Sequence, residues 1–387
     1  MSDILRRIDT NKVIDLTREL IRIPSENPPG NENEISEFIK EQLTKIGFST
    51  KIHEFSKGRP SVIGIVSNDN KSKSLIINGH TDTVPVGDYS LWRHEPYGAT
   101  IEDGRIYGRG ASDMKGGLAA MLVAAETLME VGVDGRLVLE FVADEEVTGY
   151  GTKDLLDRGY KAEYAIIGEP TELKVQTAHK GVMNLKFMVK GRPAHASMPK
   201  TGVNAICKAS RLCLTLQDVQ TQFNNRRHPI LGEPTLNVGV IRGGVKSNIV
   251  PDYCELIVER RLIPGETKAQ VLYEVDGILD KLREGDPLFN VTYEVLHHAE
   301  PSETSPESSF VKVARECVKE VTGSDFGASG FPATCDMRFL VNQGNIPSII
   351  LGPGSLHQAH TSDEYVEIDQ VVKAAQIYTL IALKLLT

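Results

Sequence analysis

Short, mostly apolar runs recur in the first and last parts of the chain and predict buried strands. They cover residues 75–77, 137–142, 165–167 and 348–351. Longer segments that repeat apolar residues at the helical period lie at 11–23, 118–129 and 371–385. Buried strands that alternate with helices are typical of an α/β layer. The pattern therefore predicts an α/β domain formed by both ends of the chain.

A different pattern begins near residue 180. Apolar and polar residues alternate along 183–189, 236–240, 254–258 and 289–295, which predicts strands buried on one face. Helical periods lie at 204–216 and 268–282. The resulting order is β-α-β-β-α-β, the ferredoxin-like arrangement. We therefore expect a small α+β domain at 179–298, inserted into a larger domain formed by 1–178 and 299–387.

Composition and charge narrow the class of protein. The 387 residues are 40% apolar and 25% charged, which is typical of a globular chain, and the net charge is −9. This acidic balance, without a basic block, predicts no nucleic-acid partner and no membrane partner. The five cysteines are scattered and form no C-x-x-C, so neither a disulfide framework nor a thiolate zinc site is expected. With no signal-peptide pattern near the start, we expect a cytoplasmic protein.

Acidic and imidazole side chains follow the predicted buried strands. They are His80-Thr81-Asp82, Asp144-Glu145-Glu146, Glu169-Pro170, and the pair His357 and His360 in a glycine-rich segment. Ligands of open α/β sheets bind outside the carboxyl ends of the strands. One sheet edge is therefore expected to collect these side chains, with His357 competing with His360.

The segment 108–117, GRGASDMKGG, resembles a phosphate-binding loop only superficially. The dinucleotide fingerprint requires glycine where Asp113 stands, and no G-K-[ST] occurs here. An acid at the mouth of a helix repels phosphate and attracts a cation. Asp113 is therefore a candidate metal ligand.

Converging carboxylates imply bound cations or raised pKa values, because like charges repel. Histidine and carboxylate donors without cysteine suit zinc or a similar divalent metal. The ligand set that we infer is His80, Asp113, Glu146, Glu169 and His360. If Asp113 bridges, each of two metals receives three protein ligands, which leaves room for a shared water.

The adjacent acids Glu145 and Glu146 suggest a division of roles. Two neighbouring residues do not easily coordinate the same metal, so one can ligate while the other accepts the proton of the water. Asp82, two residues after His80, can reach back to the imidazole and orient it. Each motif alone is compatible with a turn, a helix cap or a solvated pair. Together they carry more weight, because all follow apolar strands.

Five segments in chain order resemble one enzyme family. They are 79–85 (GHTDTVP), 108–117, 144–146 (DEE), 168–170 (GEP) and 359–364 (AHTSDE). The chain resembles the co-catalytic di-zinc deacylases and peptidases, which include acetylornithine deacetylase, succinyl-diaminopimelate desuccinylase, aminoacylase and glutamate carboxypeptidase. The resemblance implies a mixed-sheet zinc-hydrolase catalytic domain with an inserted lid and dimerisation domain.

The resemblance also implies a role for each metal ligand. His80, Asp113 and Glu169 would hold one zinc, and Asp113, Glu146 and His360 the other. Glu145 would be the general base and later the proton donor to the leaving amine. Cobalt or manganese are alternatives to zinc. The peptide after Asp113 is often cis in relatives.

The inserted domain carries three further resemblances, at 191–197, 243–248 and 259–264. They imply that His195 reaches the sister subunit's active site and stabilises the oxyanion, and that Asn248 contacts substrate. A homodimer through this domain follows from the same analogy.

Two arginines compete for the substrate carboxylate in the third of these segments. Arg260 shares the parity of the apolar strand positions, so Arg261 is the predicted carboxylate clamp, with Arg338 as a second candidate.

The leading functional hypothesis is metal-dependent hydrolysis of the amide in a small N-acyl amino acid. A carboxypeptidase or dipeptidase is the alternative within hydrolases, because its substrate also places an amide beside a carboxylate. A non-catalytic metal- or carboxylate-binding protein is the alternative of another class. The G-x-S-x-G and H-E-x-x-H motifs are absent, which disfavours a serine hydrolase and a single-zinc protease.

Overall fold

The protein, described by a computed structural model over residues 2–67 and 73–387, divides into two compact units. The larger unit comprises Met1–Thr177, Glu303–Phe331 and Cys335–Thr387, and the smaller unit comprises Ala178–Ser302 and Pro332–Thr334. The sequence places the domain boundaries at 178/179 and 298/299. Assignment of the two units as catalytic domain and lid stays a prediction.

The helices and strands are numbered in chain order. The helices are α1 (Ser2–Leu5), α2 (Thr10–Arg22), α3 (Asn33–Lys45), α4 (Gly116–Val131), α5 (Tyr150–Asp157), α6 (Ala205–Gln222), α7 (Lys268–Gly285), α8 (Ser309–Thr322), α9 (Met337–Asn342) and α10 (Ile368–Leu386). The strands are β1 (Ser49–Glu54), β2 (Pro60–Ser67), β3 (Ser74–His80), β4 (Thr100–Glu102), β5 (Arg105–Tyr107), β6 (Arg136–Val142), β7 (Tyr164–Ile167), β8 (Gln176–His179), β9 (Gly181–Lys190), β10 (Ala194–His195), β11 (Thr235–Gly243), β12 (Ile249–Val250), β13 (Tyr253–Leu262), β14 (Asn290–Ala299), β15 (Ser302–Glu303), β16 (Ser329–Phe331), β17 (Ser348–Ile350) and β18 (Tyr365–Glu367).

The larger unit is built on a mixed sheet of nine strands. Their order is β1-β2-β6-β3-β7-β17-β8-β15, with β16 beside β8. The four central strands β6, β3, β7 and β17 are parallel, whereas β1 and β2 pair antiparallel. The carboxyl ends of the central strands therefore meet at one edge.

Helix α4 is buried along almost its whole length, and it packs against α2 and α10. Its first turn passes very close to the end of β7, because a Cβ on Gly117 would lie 2.6 Å from the carbonyl oxygen of Gly168. Glycine is therefore required there, and its small size brings the segment before α4 to the carboxyl edge of the sheet.

A small second sheet joins distant parts of the larger unit. Strand β18 pairs antiparallel with β5, and β5 pairs with β4. This pairing holds the segment that precedes β18 next to the segment that follows β5. Both segments carry residues of the candidate site.

The smaller unit has the element order β9-α6-β11-β13-α7-β14, the β-α-β-β-α-β order that the sequence predicts. Its four strands form an antiparallel sheet in the order β11-β13-β9-β14, and β10 and β12 form a separate short pair. Alternate residues of β9 and β13 pack with α6 and α7 into a core of its own. Helix α7 begins with a capping box in which Thr267 and Gln270 satisfy each other's backbone N–H.

No helix within residues 2–67 and 73–387 has both the length and the apolar character needed to cross a membrane.

Candidate metal centre

The imidazole of His80, at the end of β3, is fixed by contacts on both ring nitrogens. Nδ1 lies 2.9 Å from the backbone oxygen of Asp82. That carbonyl oxygen can only accept, so Nδ1 carries a proton, and in the neutral ring Nε2 is the nitrogen left to act as a ligand. Nε2 faces Oδ1 of Asp113 at 2.9 Å and Oε1 of Glu169 at 3.7 Å.

The carboxylate of Asp82 has a different task from the one that the sequence suggests. Its Oδ1 lies 3.7 Å from Nδ1 of His80, beyond hydrogen-bond distance, so the orienting contact comes from the backbone oxygen. The carboxylate instead accepts the backbone N–H of Glu145 at 3.1 Å and that of Glu146 at 3.2 Å. Asp82 thereby holds the main chain of both acids that follow β6.

Asp113 lies in an irregular turn, Ala111–Lys115, directly before α4, and its peptide bond to Met114 is cis. Its two carboxylate oxygens face different partners. Oδ1 faces His80, whereas Oδ2 lies 3.4 Å from Nε2 of His360. Asp113 therefore stands between two sets of side chains.

Two groups of possible metal ligands share Asp113. The first group is His80, Asp113 and Glu169, and the second is Asp113, Glu146 and His360. Within each group the ligand atoms lie within 4.8 Å of one another. These are the five residues that the sequence nominates, whereas His357 belongs to neither group. Among the described residues, the structure forms these two groups of this kind.

The donor set fits a pair of divalent cations. Oε1 of Glu146 is buried without a hydrogen-bond partner, so it is an acceptor that a cation would satisfy. Burial, and then the carboxylate of Asp113, raise the pKa values of Glu146 and Glu169. Hydrogen bonds to Asp113 and Glu146 raise the pKa of His360 to about 10. The surrounding carboxylates therefore favour a positive charge at this position.

Glu145 stands beside the donor groups without belonging to either. Burial, and then the neighbouring carboxylate of Glu169, raise its pKa well above the usual range. Because Glu146 belongs to the second group, the adjacent Glu145 is the spare acid that the sequence leads us to expect.

The structure shows a buried polar network behind the site that the sequence does not predict. The amide nitrogen of Asn27 donates to Asp82 at 2.9 Å and to Asp144 at 3.0 Å. The guanidinium of Arg59 pairs with both oxygens of Glu32 and lies 2.8 Å from Asp144. No spacing rule links residue 27 or 59 to the acids after β3 and β6, so the sequence holds no signal for these contacts.

Glu364 is a second residue that the sequence analysis does not name as a candidate, although it belongs to a segment that carries the family resemblance. It is 1% exposed and accepts hydrogen bonds from Arg109 and from the main chain around Asp113. A glutamate four residues after a candidate histidine ligand was the available signal.

The role of Arg338 as a second candidate for the substrate clamp stays a prediction. Its side chain is 6% exposed, and its Nη atoms donate to the backbone oxygens of Cys335 at 3.1 Å and Thr148 at 2.9 Å. Arg338 therefore supports the segment that follows β6. Two of its N–H donors are thus used within the larger unit.

The remaining predicted residues lie in the smaller unit. Nδ1 of His195, on β10, is 2.7 Å from Oγ of Ser197, and the N–H of Ala196 donates to the backbone oxygen of Asn248 at 3.0 Å. His195 and Asn248 thus belong to neighbouring segments. Their roles toward substrate stay predictions.

The two arginines of β13 have opposite environments. Arg260 is 2% exposed, pairs with Glu266 and stacks on Phe223, whereas Arg261 is partly exposed and donates to Glu259 at 2.8 Å. This agrees with the alternation along the strand. The role of Arg261 as a clamp stays a prediction.

The mixed α/β fold and its carboxyl-edge donor groups define the class of a metal-dependent hydrolase. Residues 76–384 match the family described as Peptidase family M20/M25/M40. The chain belongs to this family and is a hydrolase, as the resemblance in the sequence implies. The alternative of a non-catalytic binding protein is therefore wrong.

Three similar relatives are deacylases by name. The chain is 30% identical to the N-formyl-4-amino-5-aminomethyl-2-methylpyrimidine deformylase of Bacillus subtilis. The alignment covers 96% of this chain and 94% of the relative. The chain is 30% identical to succinyl-diaminopimelate desuccinylase 2 of Shewanella loihica, covering 93% and 97%. It is also 30% identical to the acetylornithine deacetylase of Proteus mirabilis, covering 92% of each.

Solved structures confirm the mixed α/β fold class. The metallo-carboxypeptidase Sso-CP2 of Sulfolobus solfataricus superimposes with a TM-score of 0.78 at 23% identity, covering 96% of this chain and 98% of that one. The YXEP protein of Bacillus subtilis, described as a dinuclear metal binding peptidase, gives a TM-score of 0.75 at 15% identity, covering 97% and 98%.

Proposed function

We propose that this protein hydrolyses the amide bond of a small N-acyl amino acid with the help of two divalent metal ions, zinc in the first instance. The observation that carries the proposal is the pair of donor groups that share Asp113, with Glu145 as a spare acid beside them. The names of the 30% identical relatives favour removal of an acyl group.

The donor groups divide the metal ligands between two sites. His80, Asp113 and Glu169 would hold one ion, and Asp113, Glu146 and His360 the other. Bound ions of this kind polarise the scissile carbonyl and make a water molecule more acidic.

Glu145 is the residue that moves the proton in this proposal. It accepts a proton from the attacking water and donates it to the leaving nitrogen. Asp82 supports this by holding the N–H groups of Glu145 and Glu146, so that one acid joins a donor group while its neighbour stays free. The backbone oxygen of Asp82 meanwhile holds a proton on Nδ1 of His80, so that Nε2 is the nitrogen of the neutral ring that would bind an ion.

The smaller unit completes the proposal on the strength of the family resemblance. His195 stabilises the oxyanion across a homodimer, Asn248 contacts the substrate, and Arg261 binds its carboxylate. In this scheme 1–178 and 299–387 form the catalytic domain, and 179–298 form the lid and dimerisation domain of a cytoplasmic enzyme. His195→Ala should lower kcat while the bound metal per chain stays unchanged.

The decisive test is Glu145→Gln, with turnover and bound metal measured together. We expect the variant to keep two ions per chain and to lose at least about 100-fold in kcat, as removal of a general base does. Glu163→Gln, on the exposed surface of the larger unit, serves as the control. Near wild-type turnover by the Glu145 variant would exclude the mechanism.

The substrate class is tested with a panel at fixed metal content. N-formyl, N-acetyl and N-succinyl amino acids are compared with dipeptides by kcat/KM. We expect the acylated amino acids to be preferred. Preference for dipeptides would instead support the carboxypeptidase or dipeptidase alternative.

A further inference from the structure

The buried carboxylate of Glu364 accepts four N–H donors from the segment that carries Asp113. Oε2 receives Nη1 of Arg109 at 2.6 Å and the N–H of Gly110 at 3.0 Å. Oε1 receives the N–H of Ser112 at 2.8 Å and that of Asp113 at 3.0 Å. The main chain on both sides of the turn is thus fixed by one side chain.

The segment that supplies Glu364 also supplies His360, a member of the second donor group. Its earlier part makes a second contact with the same turn. Oγ of Ser112 donates to the backbone oxygen of Ser355 at 3.0 Å and accepts the N–H of Ser355 at 2.9 Å. Residues on both sides of His360 are therefore attached to the turn that holds Asp113.

Only a carboxylate meets the geometry at this position. Each oxygen accepts two donors, so an amide NH2 in place of either oxygen would face two N–H groups. Arg109 is 2% exposed, stacks against Trp92 and balances the charge of Glu364. The pair therefore forms a closed and fully buried support.

We propose that Glu364 is a positioning residue of the metal centre. It fixes the main chain of Asp113 relative to His360, so that the carboxylate of Asp113 is shared between the two donor groups. This inference rests on the proposed two-metal function. If it holds, loss of the carboxylate weakens the binding of metal as well as lowering turnover.

The test compares metal binding by the wild-type chain and Glu364→Gln. Full-length protein is stripped with a chelator and titrated with Co²⁺, and stoichiometry, affinity and the visible absorption of the bound ion are recorded. We expect Glu364→Gln to bind at least one ion about 10- to 100-fold more weakly, the range for loss of a residue that orients a ligand. The absorption at saturation should also change, which loss of stability alone would not cause.

Glu266→Gln is the matched control. Glu266 lies in the smaller unit, accepts Nη2 of Arg260 at 2.6 Å and accepts the backbone N–H of Ile263 at 3.1 Å. The Glu266→Gln variant therefore loses a similar pairing with an arginine and leaves the turn that holds Asp113 unchanged. We expect its Co²⁺ affinity and absorption to match the wild type.

The outcomes separate the inference from the proposed function. A wild-type chain that does not bind two ions contradicts the proposed function, whatever Glu364 does. A folded Glu364→Gln that binds both ions within twofold of the wild type overturns the inference. If Glu364→Gln does not fold, the shorter Glu364→Asp takes its place: weaker Co²⁺ binding than in Glu266→Gln supports the inference, and unchanged binding overturns it.

Discussion

At the scale of single residues, Glu140 is a buried acid that the proposed mechanism does not use. Glu140, on β6, is 1% exposed, and its Oε2 accepts a hydrogen bond from the amide of Asn78 at 3.0 Å. Its other oxygen has no hydrogen-bond partner. Burial raises the pKa of Glu140 to about 7.

This raised pKa gives the stability of the fold a defined pH dependence. The unfolded chain releases the Glu140 proton near the usual 4.5, whereas the folded chain keeps it to about 7. Between these values the folded state binds more protons, so stability is full below 4.5 and falls as pH rises toward 7. The loss amounts to about 3 kcal/mol.

Glu140→Gln should remove this dependence. We expect the variant to gain stability relative to the wild type between pH 5 and pH 8, measured by denaturant unfolding at each pH. The exposed Glu41→Gln, on α3, is the control and should follow the wild type. A constant difference between Glu140→Gln and the wild type across this range would contradict the assignment.

The members of the two donor groups could be named from the sequence at this scale, but their supporting residues could not. His80, Glu146 and Glu169 could be nominated because each lies at or shortly after the end of an apolar strand, and strand ends converge. The contacts of Arg338 could not be predicted, because an arginine that bonds backbone oxygens of a distant turn has no local signature. The contacts of Asn27 are hidden for the same reason.

At the scale of elements, the turn after β6 depends on a support from α9. Arg338, on α9, donates to the backbone oxygen of Thr148, in the same turn as Glu145 and Glu146. A side chain on Gly149 would collide with Asp336 and Arg338, so these groups pack directly against the turn. The position of both acids therefore depends partly on this arginine.

Arg338→Lys should weaken the turn, because one ammonium cannot replace two guanidinium contacts. We expect a fall in kcat larger than the change in KM, with a loss of about 1–3 kcal/mol of stability. Arg315→Lys, which affects an ion pair with Asp325 on a partly exposed helix face, is the control. Unchanged kcat in Arg338→Lys would show that the turn does not need this support.

Helix α7 offers a test that is independent of the metal centre. Thr267→Ala removes the side-chain acceptor of its capping box and should cost about 1 kcal/mol of stability, with unchanged metal content. Thr215→Ala, inside α6, removes a threonine that bonds only within its own helix and should cost less. Denaturant unfolding with metal analysis distinguishes these results.

Element types were largely predictable from periodicity. The helical periods at 118–129 and 268–282 fall on α4 and α7, and the buried runs fall on β3, β6, β7 and β17. The short strands β4, β5 and β18 were not predicted, because three residues are too few for a period. The irregular turn before α4 was equally unpredictable, since Glu364, which accepts two of its N–H groups, lies far along the chain.

At the scale of the whole molecule, metal binding and folding should be coupled. A ligand that binds the folded state alone adds RT ln(1 + [L]/Kd), or about 2.7 kcal/mol at 100 times Kd. Added Zn²⁺ should therefore raise the melting temperature of the chelated protein. Asp113→Asn should lose most of this shift and Glu145→Gln should retain it, because Asp113 belongs to both donor groups.

The ligands are spread along the chain from His80 to His360, and this has a consequence for biosynthesis. A nascent chain that has not yet reached residue 360 lacks a member of the second group, although it already holds all three residues of the first. Even Glu364 emerges from the ribosome only after that. In the proposed two-metal enzyme the second donor group is therefore completed only near the end of synthesis, and a product that terminates before residue 360 carries four of the five residues but only the first complete group.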